Sequence, residues 1–359
     1  MARRTLLYLK AWVDAGGDSR YAIDHLRGVD SEHWHTIVAT TLPSENRWLA
    51  RLALHADELW PLPDVMPGAQ IPHFLLDLVR SRGVDVVHIS TCRLGMLLLP
   101  ELAALPRAPR TVVQLHDARE QGGFNRYVPA RFDSVVDAYS VVSSRIAEIL
   151  AANRVSPSKV SVIPPGVDGR GALDPERVQP RDLGPGFHVL WPARFVEQKD
   201  PQLMLDTAAE LRGLRPDAVI HAVGEGPMRG LMEAAEGRLA GALRMHGPAA
   251  PEAMPSWFAA ADAVLLTSRW EGLPITMLES LAMATPVVAP AAVEPVGEGV
   301  TSVLGRAAEQ FAHELAALAA DPELTEAQGR SGRAHVLEHY SLRGPADAHT
   351  SLYGGLLGA

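Results

Sequence analysis

The sequence predicts an α/β protein of two doubly wound parallel-sheet domains, and three observations predict it. Short apolar runs alternate with helix-length segments through the first half; a stretch rich in Gly, Pro and Asp interrupts them at residues 166–186; the alternation then restarts. With 359 residues, each half is long enough to bury its own core.

The first-half strands are read from "TLLYLKAWV", "HTIVATT", "DELWPL", "VDVVHIS", "RTVVQLHD", "AYSVVS" and "VSVIPPG". The interruption, "GVDGRGALDPERVQPRDLGPG", carries no apolar periodicity and reads as a connector. "FHVLWPAR", "AVIHAVG", "LRMHG", "AVLLTS" and "PVVAP" supply the second set of strands. The expected organisation is a first domain over residues 1–168, a linker over 169–186 and a second domain over 187–339. A final helix at about 340–359 should pack back on the first domain. In such sheets ligands bind outside the carboxyl ends of the strands, so a cleft between two of them is the place to look for chemistry.

Composition excludes several classes of function. The hydrophobic share of 47% and the charged share of 21% belong to a folded globular chain, not to a disordered one. A single cysteine, Cys92, permits no internal disulfide, which fits a cytoplasmic protein. The first apolar run is broken by Lys10 and Asp14, so it reads as a strand and not as a signal peptide, and no window is apolar enough to span a membrane. A net charge of −9 argues against nucleic acid as a partner. Peripheral membrane contact stays open, and the oligomeric state is not legible.

Three second-half loops, each after a strand, carry the candidate chemistry. In "ARFVEQKDP", Arg194 and Lys199 precede a helix that Asp200 should cap and Pro201 should open. Two cations there suit a diphosphate, the Arg by a bidentate contact and the Lys as a point charge. "AVGEGPMRG" only approximates a dinucleotide fingerprint, since its third glycine is one residue late and no acid follows, so it reads as a tight strand-to-helix turn. "TSRWEGLPITMLESLAMATPVVAP" places Glu271 and Glu279 eight residues apart. Within one helix that spacing is roughly 12 Å along the axis. Pro274 suits a first helical position, so the helix should start near Ile275, leaving Glu271 in the loop and Glu279 in the helix. Carboxylates clamp vicinal hydroxyls, and the free N–H groups of the helix start favour a phosphate. A diphosphate beside sugar hydroxyls describes a nucleotide sugar.

Taken in order, "VIPPGVD", "ARFVEQKDP", "VGEGPM", "LRMHGPA", "MPSWFAAADAVLLTSRWEGLPITMLESLAMATPVVAP" and "EPVGEGVTSVL" resemble the donor domain of the family 4 glycosyltransferases, retaining enzymes of the GT-B fold. The first half is similar more loosely, through Gly16-Gly17 after the first strand and His116 after "VVQL". The loop before Glu294 is shorter than the family's usual one, and Ser302 stands where a glycine is common.

The resemblance implies that Arg194 and Lys199 hold the diphosphate, that Glu271 contacts the transferred sugar, and that backbone groups at Gly272 and Leu273 assist it. Glu279 would accept the ribose hydroxyls, and the backbone near Met245 and His246 would line the base pocket. Gly16 and Gly17 would let the backbone approach the phosphates. His116 precedes a polar loop, "DAREQGGFNRY", that could reach the acceptor, and it has no evident orienting partner in the sequence.

The expected activity is retaining transfer of a sugar from a nucleotide diphosphate sugar, UDP first and GDP second, to a small-molecule, glycan or lipid-linked hydroxyl. No Asp-x-Asp occurs, so neither a metal nor another cofactor is expected. The rival readings are a catalytically silent nucleotide-sugar-binding protein and, further off, a nicotinamide-dependent dehydrogenase or a pyridoxal-phosphate phosphorylase.

Overall fold

The computed structural model describes residues 3–119, 123–239, 241–297, 299–303 and 305–358. The chain divides into two compact units. The first comprises Met1–Gly166 with Leu342–Ala359, and the second comprises Val167–Ser341.

In the first unit seven strands run parallel in the order β3-β2-β1-β4-β5-β6-β7. They are β1 (Arg4–Lys10), β2 (Trp34–Thr40), β3 (Glu58–Pro61), β4 (Val86–Ser90), β5 (Arg110–Leu115), β6 (Ala138–Val141) and β7 (Val160–Val162). The central strands are buried on both faces, as parallel strands under helices must be, and this includes Lys10 at the last position of β1. Register sets Lys10 opposite Ser90, and Ser90 opposite Gln114. The carboxyl ends of β1, β4 and β5 therefore finish at one level. The Gly344–Leu357 helix packs against the Gly17–Gly28 helix, close enough that a Cβ on Gly28 would stand 2.3 Å from Ala346 Cβ.

In the second unit six parallel strands run β10-β9-β8-β11-β12-β13. They are β8 (Phe187–Pro192), β9 (Ala218–Val223), β10 (Leu243–Met245), β11 (Ala263–Leu265), β12 (Val287–Pro290) and β13 (Val300–Val303). Trp191, Phe195, Met204, Ile220, Leu265 and Phe311 anchor its core. Residues 169–186, read as a linker, are irregular but packed within this unit. Arg333 donates to the Leu173 carbonyl and pairs with Asp174 at 3.2 Å, while the Arg181 guanidinium lies 4.3 Å over the Trp257 ring.

Among the described residues no helix is long and apolar enough to cross a membrane. The helix starts at Ile275 as expected and runs Ile275–Ala282; Pro274 stands at its N-cap with an extended ψ of 119° and not in the first turn.

Candidate active site

The two charged loops of the second unit follow the carboxyl ends of the adjacent strands β8 and β11. Asp200 caps the Pro201–Leu214 helix, its carboxylate accepting the Leu203 amide at 3.4 Å. The two loops are bolted together by hydrogen bonds. Thr267 Oγ1 donates to the Lys199 carbonyl at 2.6 Å, the Arg269 amide to the Gln198 carbonyl at 2.8 Å, and Gln198 Nε2 to the Trp270 carbonyl at 3.1 Å. Arg306 adds a clamp that the sequence did not reveal, donating to the Ser268 and Thr267 carbonyls and to the Asp200 carboxylate.

On this frame Lys199 Nζ and Glu271 form an ion pair, with the Glu271 side chain only 9% exposed. Arg194 lies on the same loop and is exposed. Glu271 sits in the loop and Glu279 inside the helix, while Gly272 and Leu273 between them are buried. Among the described residues neither the Gly272 nor the Leu273 amide donates to a backbone carbonyl, and both lie just before the helix start, where free N–H groups favour an anion.

The Gly224–Gly226 turn is structural. A Cβ on Gly224 would fall 1.9 Å from the Ala193 carbonyl oxygen, and one on Gly226 2.6 Å from that of Phe195. Both glycines let the turn lie against the Arg194 loop. Met245 and His246 stand at the end of β10, where the Met245 amide donates to Glu236 at 2.6 Å and the His246 amide to the Ala222 carbonyl at 3.0 Å.

In the first unit Gly16 caps the Gly17–Gly28 helix in an extended conformation. A Cβ at Gly16 would meet nothing within 4 Å, so internal packing does not require the glycine.

His116 is not the isolated group the sequence suggested. Its Nε2 lies 3.1 Å from Asp18 Oδ1 and 3.2 Å from Ser90 Oγ, and Asp18 Oδ2 holds Lys10 Nζ at 2.8 Å. The correction has a topological cause: neighbouring strands β1, β4 and β5 deliver Lys10, Ser90 and His116 to one place, and the helix after Gly16-Gly17 delivers Asp18. Burial raises the Asp18 pKa, but Lys10 and then His116 outweigh it and hold the carboxyl at about 2. Burial is also the largest cause at His116, and with Lys10 it overcomes the opposing pull of Asp18, leaving the imidazole at about 4. His116 is therefore neutral at pH 7. Its Nε2 is hydrogen-bonded with Ser90 Oγ and lies beside the Asp18 carboxylate. Part of the "DAREQGGFNRY" loop, Glu120 to Gly122, lies outside the described residues.

A separate buried group, His25, His88 and His349, brings ring nitrogens within 4.8 Å of one another. Its hydrogen bonds run elsewhere: Tyr353 Oη to His88 Nδ1 at 2.7 Å, Ser140 Oγ to His349 Nε2 at 2.8 Å, and His349 Nδ1 to the Pro345 carbonyl at 2.8 Å. His25 and His349 stack with centroids 4.0 Å apart and planes 18° from parallel. In-plane lone pairs of stacked rings do not converge on one ion, so the cluster reads as core.

Comparison with known proteins adds two family matches. Residues 15–169 match the model described as Glycosyltransferase Family 4, and residues 186–321 the one described as Glycosyl transferases group 1. A D-inositol 3-phosphate glycosyltransferase of Kribbella flavida is 30% identical, over 90% of this chain and 87% of its own length. That of Segniliparus rotundus is 32% identical over 64% and 53%, and that of Pseudarthrobacter chlorophenolicus 29% identical over 71% and 62%. The matched stretch thus spans between about half and two thirds of the length of these last two. Among solved structures, Anabaena HepE in complex with UDP aligns with a TM-score of 0.80 at 15% identity, covering 98% of this chain and 100% of that one. A glycosyltransferase of Rickettsia africae aligns with a TM-score of 0.80 at 16% identity, covering 99% of both.

Proposed function

This chain belongs to glycosyltransferase family 4 and has the GT-B fold, and from that premise we propose that it moves a sugar from a nucleotide diphosphate sugar, a UDP-sugar first, to an acceptor hydroxyl with retention of anomeric configuration. The observation that carries the reading is the Lys199–Glu271 ion pair on cross-braced loops at the ends of β8 and β11.

Breaking the sugar–phosphate bond builds positive charge at the anomeric carbon and negative charge on the diphosphate. Fixed charges aimed at the latter accelerate the step. Arg194 and Lys199 take that role here. An ammonium has three donors, and Lys199 spends one on Glu271, leaving two for phosphate oxygens. Glu271, oriented by Lys199, accepts from sugar hydroxyls, and Glu279 accepts from the ribose. The amides of Gly272 and Leu273 add donors for the sugar and phosphate.

In the proposed front-face step the anomeric C–O bond to phosphate breaks, and the acceptor oxygen bonds to the same face. The leaving phosphate oxygen takes the acceptor's proton. His116, with a pKa of about 4, is too weak a base to take that proton efficiently near pH 7. Its neutral imidazole, oriented by Asp18, instead accepts a hydrogen bond from a substrate hydroxyl. The absence of Asp-x-Asp motivates the metal-independent form of the mechanism: turnover should survive EDTA, and loss of activity restored by magnesium or manganese would refute it.

The relatives are named for D-inositol 3-phosphate, so a phosphorylated polyol is the first acceptor to try. A thermal-shift screen of UDP-, GDP- and ADP-sugars tests the donor reading, since a ligand at about 100 times its Kd adds about 2.7 kcal/mol of stability. Stabilisation by none of them would sink it. Binding without turnover across an acceptor panel would favour the silent binding protein.

A further inference from the structure

Tyr21 belongs to the Gly17–Gly28 helix, three residues after Asp18, a spacing that puts both side chains on one face of it. Asp18 meets His116 at Nε2, and Tyr21 meets the ring itself. The two ring centroids are 5.1 Å apart and the planes cross at 79°, an edge-to-face contact. Tyr21 is 2% exposed.

Hydrogen bonds at a single ring nitrogen do not settle the plane of an imidazole. The torsion that turns the ring is broad and roughly twofold, so a ring held at Nε2 can still rock about that contact and sweep its opposite edge. Ser90 Oγ at 3.2 Å and Asp18 Oδ1 at 3.1 Å both address Nε2. Neither reaches the opposite edge. Tyr21 supplies the missing constraint, because an aromatic ring crossed against the imidazole stands in the way of that rocking.

Tyr21 is itself tethered. Its hydroxyl donates to the Ile163 carbonyl at 2.9 Å, and the Ile163 amide donates to the Val141 carbonyl at 2.7 Å, which extends the pairing of β6 with β7 by one residue. The tether therefore ends on the sheet. Tyr21 also stands edge to face with His349 and His25, at centroid distances of 6.1 and 6.5 Å. One ring thus packs against both His116 and the buried histidine cluster.

We infer that Tyr21 is a positioning residue of the candidate active site: its ring fixes the plane of His116, and its hydroxyl fixes the ring. The inference rests on the role proposed for His116 and adds a residue to it. An imidazole that accepts from a substrate hydroxyl needs its lone pair aimed in one direction, since hydrogen bonds weaken steeply away from linearity. Tyr21 is buried and acts only through that angle.

The test reads the ring first and turnover second, in Tyr21→Phe, which loses the tether, and Tyr21→Leu, which loses tether and ring together. Histidine labelled with carbon-13 at Cε1 reports on His116, its signal assigned by comparison with His116→Gln. The wild type should give one sharp signal. Tyr21→Phe should broaden it, and Tyr21→Leu should broaden and displace it. With UDP-glucose and D-inositol 3-phosphate, kcat/KM for the acceptor should fall about threefold in Tyr21→Phe and about thirtyfold in Tyr21→Leu, within the roughly hundredfold that a misplacement of about 1 Å can cost. UDP affinity by calorimetry should hold in both, because Arg194, Lys199, Glu271 and Glu279 lie in the second unit. A packing defect alone would lower stability without separating acceptor from donor. A wild-type His116 signal in Tyr21→Phe overturns the inference even where Tyr21→Leu fails to fold, and so does a loss of UDP affinity as large as the loss for the acceptor. A wild type that transfers nothing from UDP-glucose to that acceptor counts against the proposed reaction alone, and the His116 signal still decides the role of Tyr21.

Discussion

His116 Nε2 stands 3.1 Å from Asp18 Oδ1, and the other oxygen of that carboxylate holds the ammonium of Lys10, a side chain with no solvent exposure. Lys10 thus acts on His116 through Asp18 as well as by its own charge. The carboxylate orients the ring, while the buried cation and the burial keep the ring neutral.

Asp18→Asn should therefore have two effects. Leaving Lys10 buried without its counter-charge should destabilise the protein by about 3 kcal/mol, the low end for a broken buried pair because Asp18 is itself partly solvated. Turnover should fall as well, since His116 loses the carboxylate beside it. Urea unfolding and initial rates measure the two separately, and an unchanged unfolding midpoint would contradict the pairing.

Lys199→Ala and Glu279→Ala should differ in kind. Lys199 is assigned to charge that grows as the bond breaks, so its loss should lower kcat. Glu279 is assigned to the ribose, which does not change during reaction, so its loss should raise KM, by about 1.5–3 kcal/mol for hydrogen bonds to a charged group. Equal losses in kcat from both variants would mean the roles are misassigned.

Stereochemistry separates the front-face step from its rivals. An inverting enzyme would need a general base opposite the leaving group, and the carboxylate–histidine pair in the first unit makes that rival more concrete than the sequence did. Its low basicity argues against it. Glu271→Gln should retain measurable turnover and give the same anomer, read from the proton NMR coupling constant of the new linkage. A β-linked product from an α-linked donor would refute retention, and a glycosyl ester trapped on Glu271 would refute the front-face step.

Acid should destabilise the first unit early. His25, His88 and His349 are buried and burial, the largest cause, pushes each well down, His349 to about 3. The unfolded chain binds these protons near pH 6.5 while the folded chain refuses them, so stability is full above about pH 6.5 and declines as the pH falls below it. At pH 5 the loss from His349 alone is roughly 2 kcal/mol, and His25 and His88 act in the same direction. Urea midpoints measured between pH 7.5 and 5 should drop steadily; a flat profile would show that the cluster is protonated or solvated.

The strands were legible because parallel strands covered on both sides must be apolar runs, as "VDVVHIS" and "RTVVQLHD" are. β13 was passed over as a strand: Val300–Val303 is four residues long and mixes Thr and Ser with its valines. The second-unit loops were legible because Arg194, Lys199, Glu271 and Glu279 lie within short stretches next to strong helix signals. Their braces were not, since Arg306 reaches Asp200 across 106 positions of sequence. Lys10 illustrates the deeper limit. In sequence it looks like a solvated break in an apolar run, yet its side chain is buried because a carboxylate from the next helix meets it there. Pairings of this sort depend on strand order, which periodicity alone does not specify.

The return of the Gly344–Leu357 helix to the Gly17–Gly28 helix has a consequence for biosynthesis. Tyr353, a fully buried residue, bonds His88 at 2.7 Å and completes the cluster over β1 and β4. A ribosome emitting this chain therefore finishes all of Val167–Ser341 before the segment that closes the opening domain exists. The half made first is sealed last. Until then the nascent chain carries an uncovered patch around His25, His88 and Tyr8, a surface for chaperones to guard and for proteases to find.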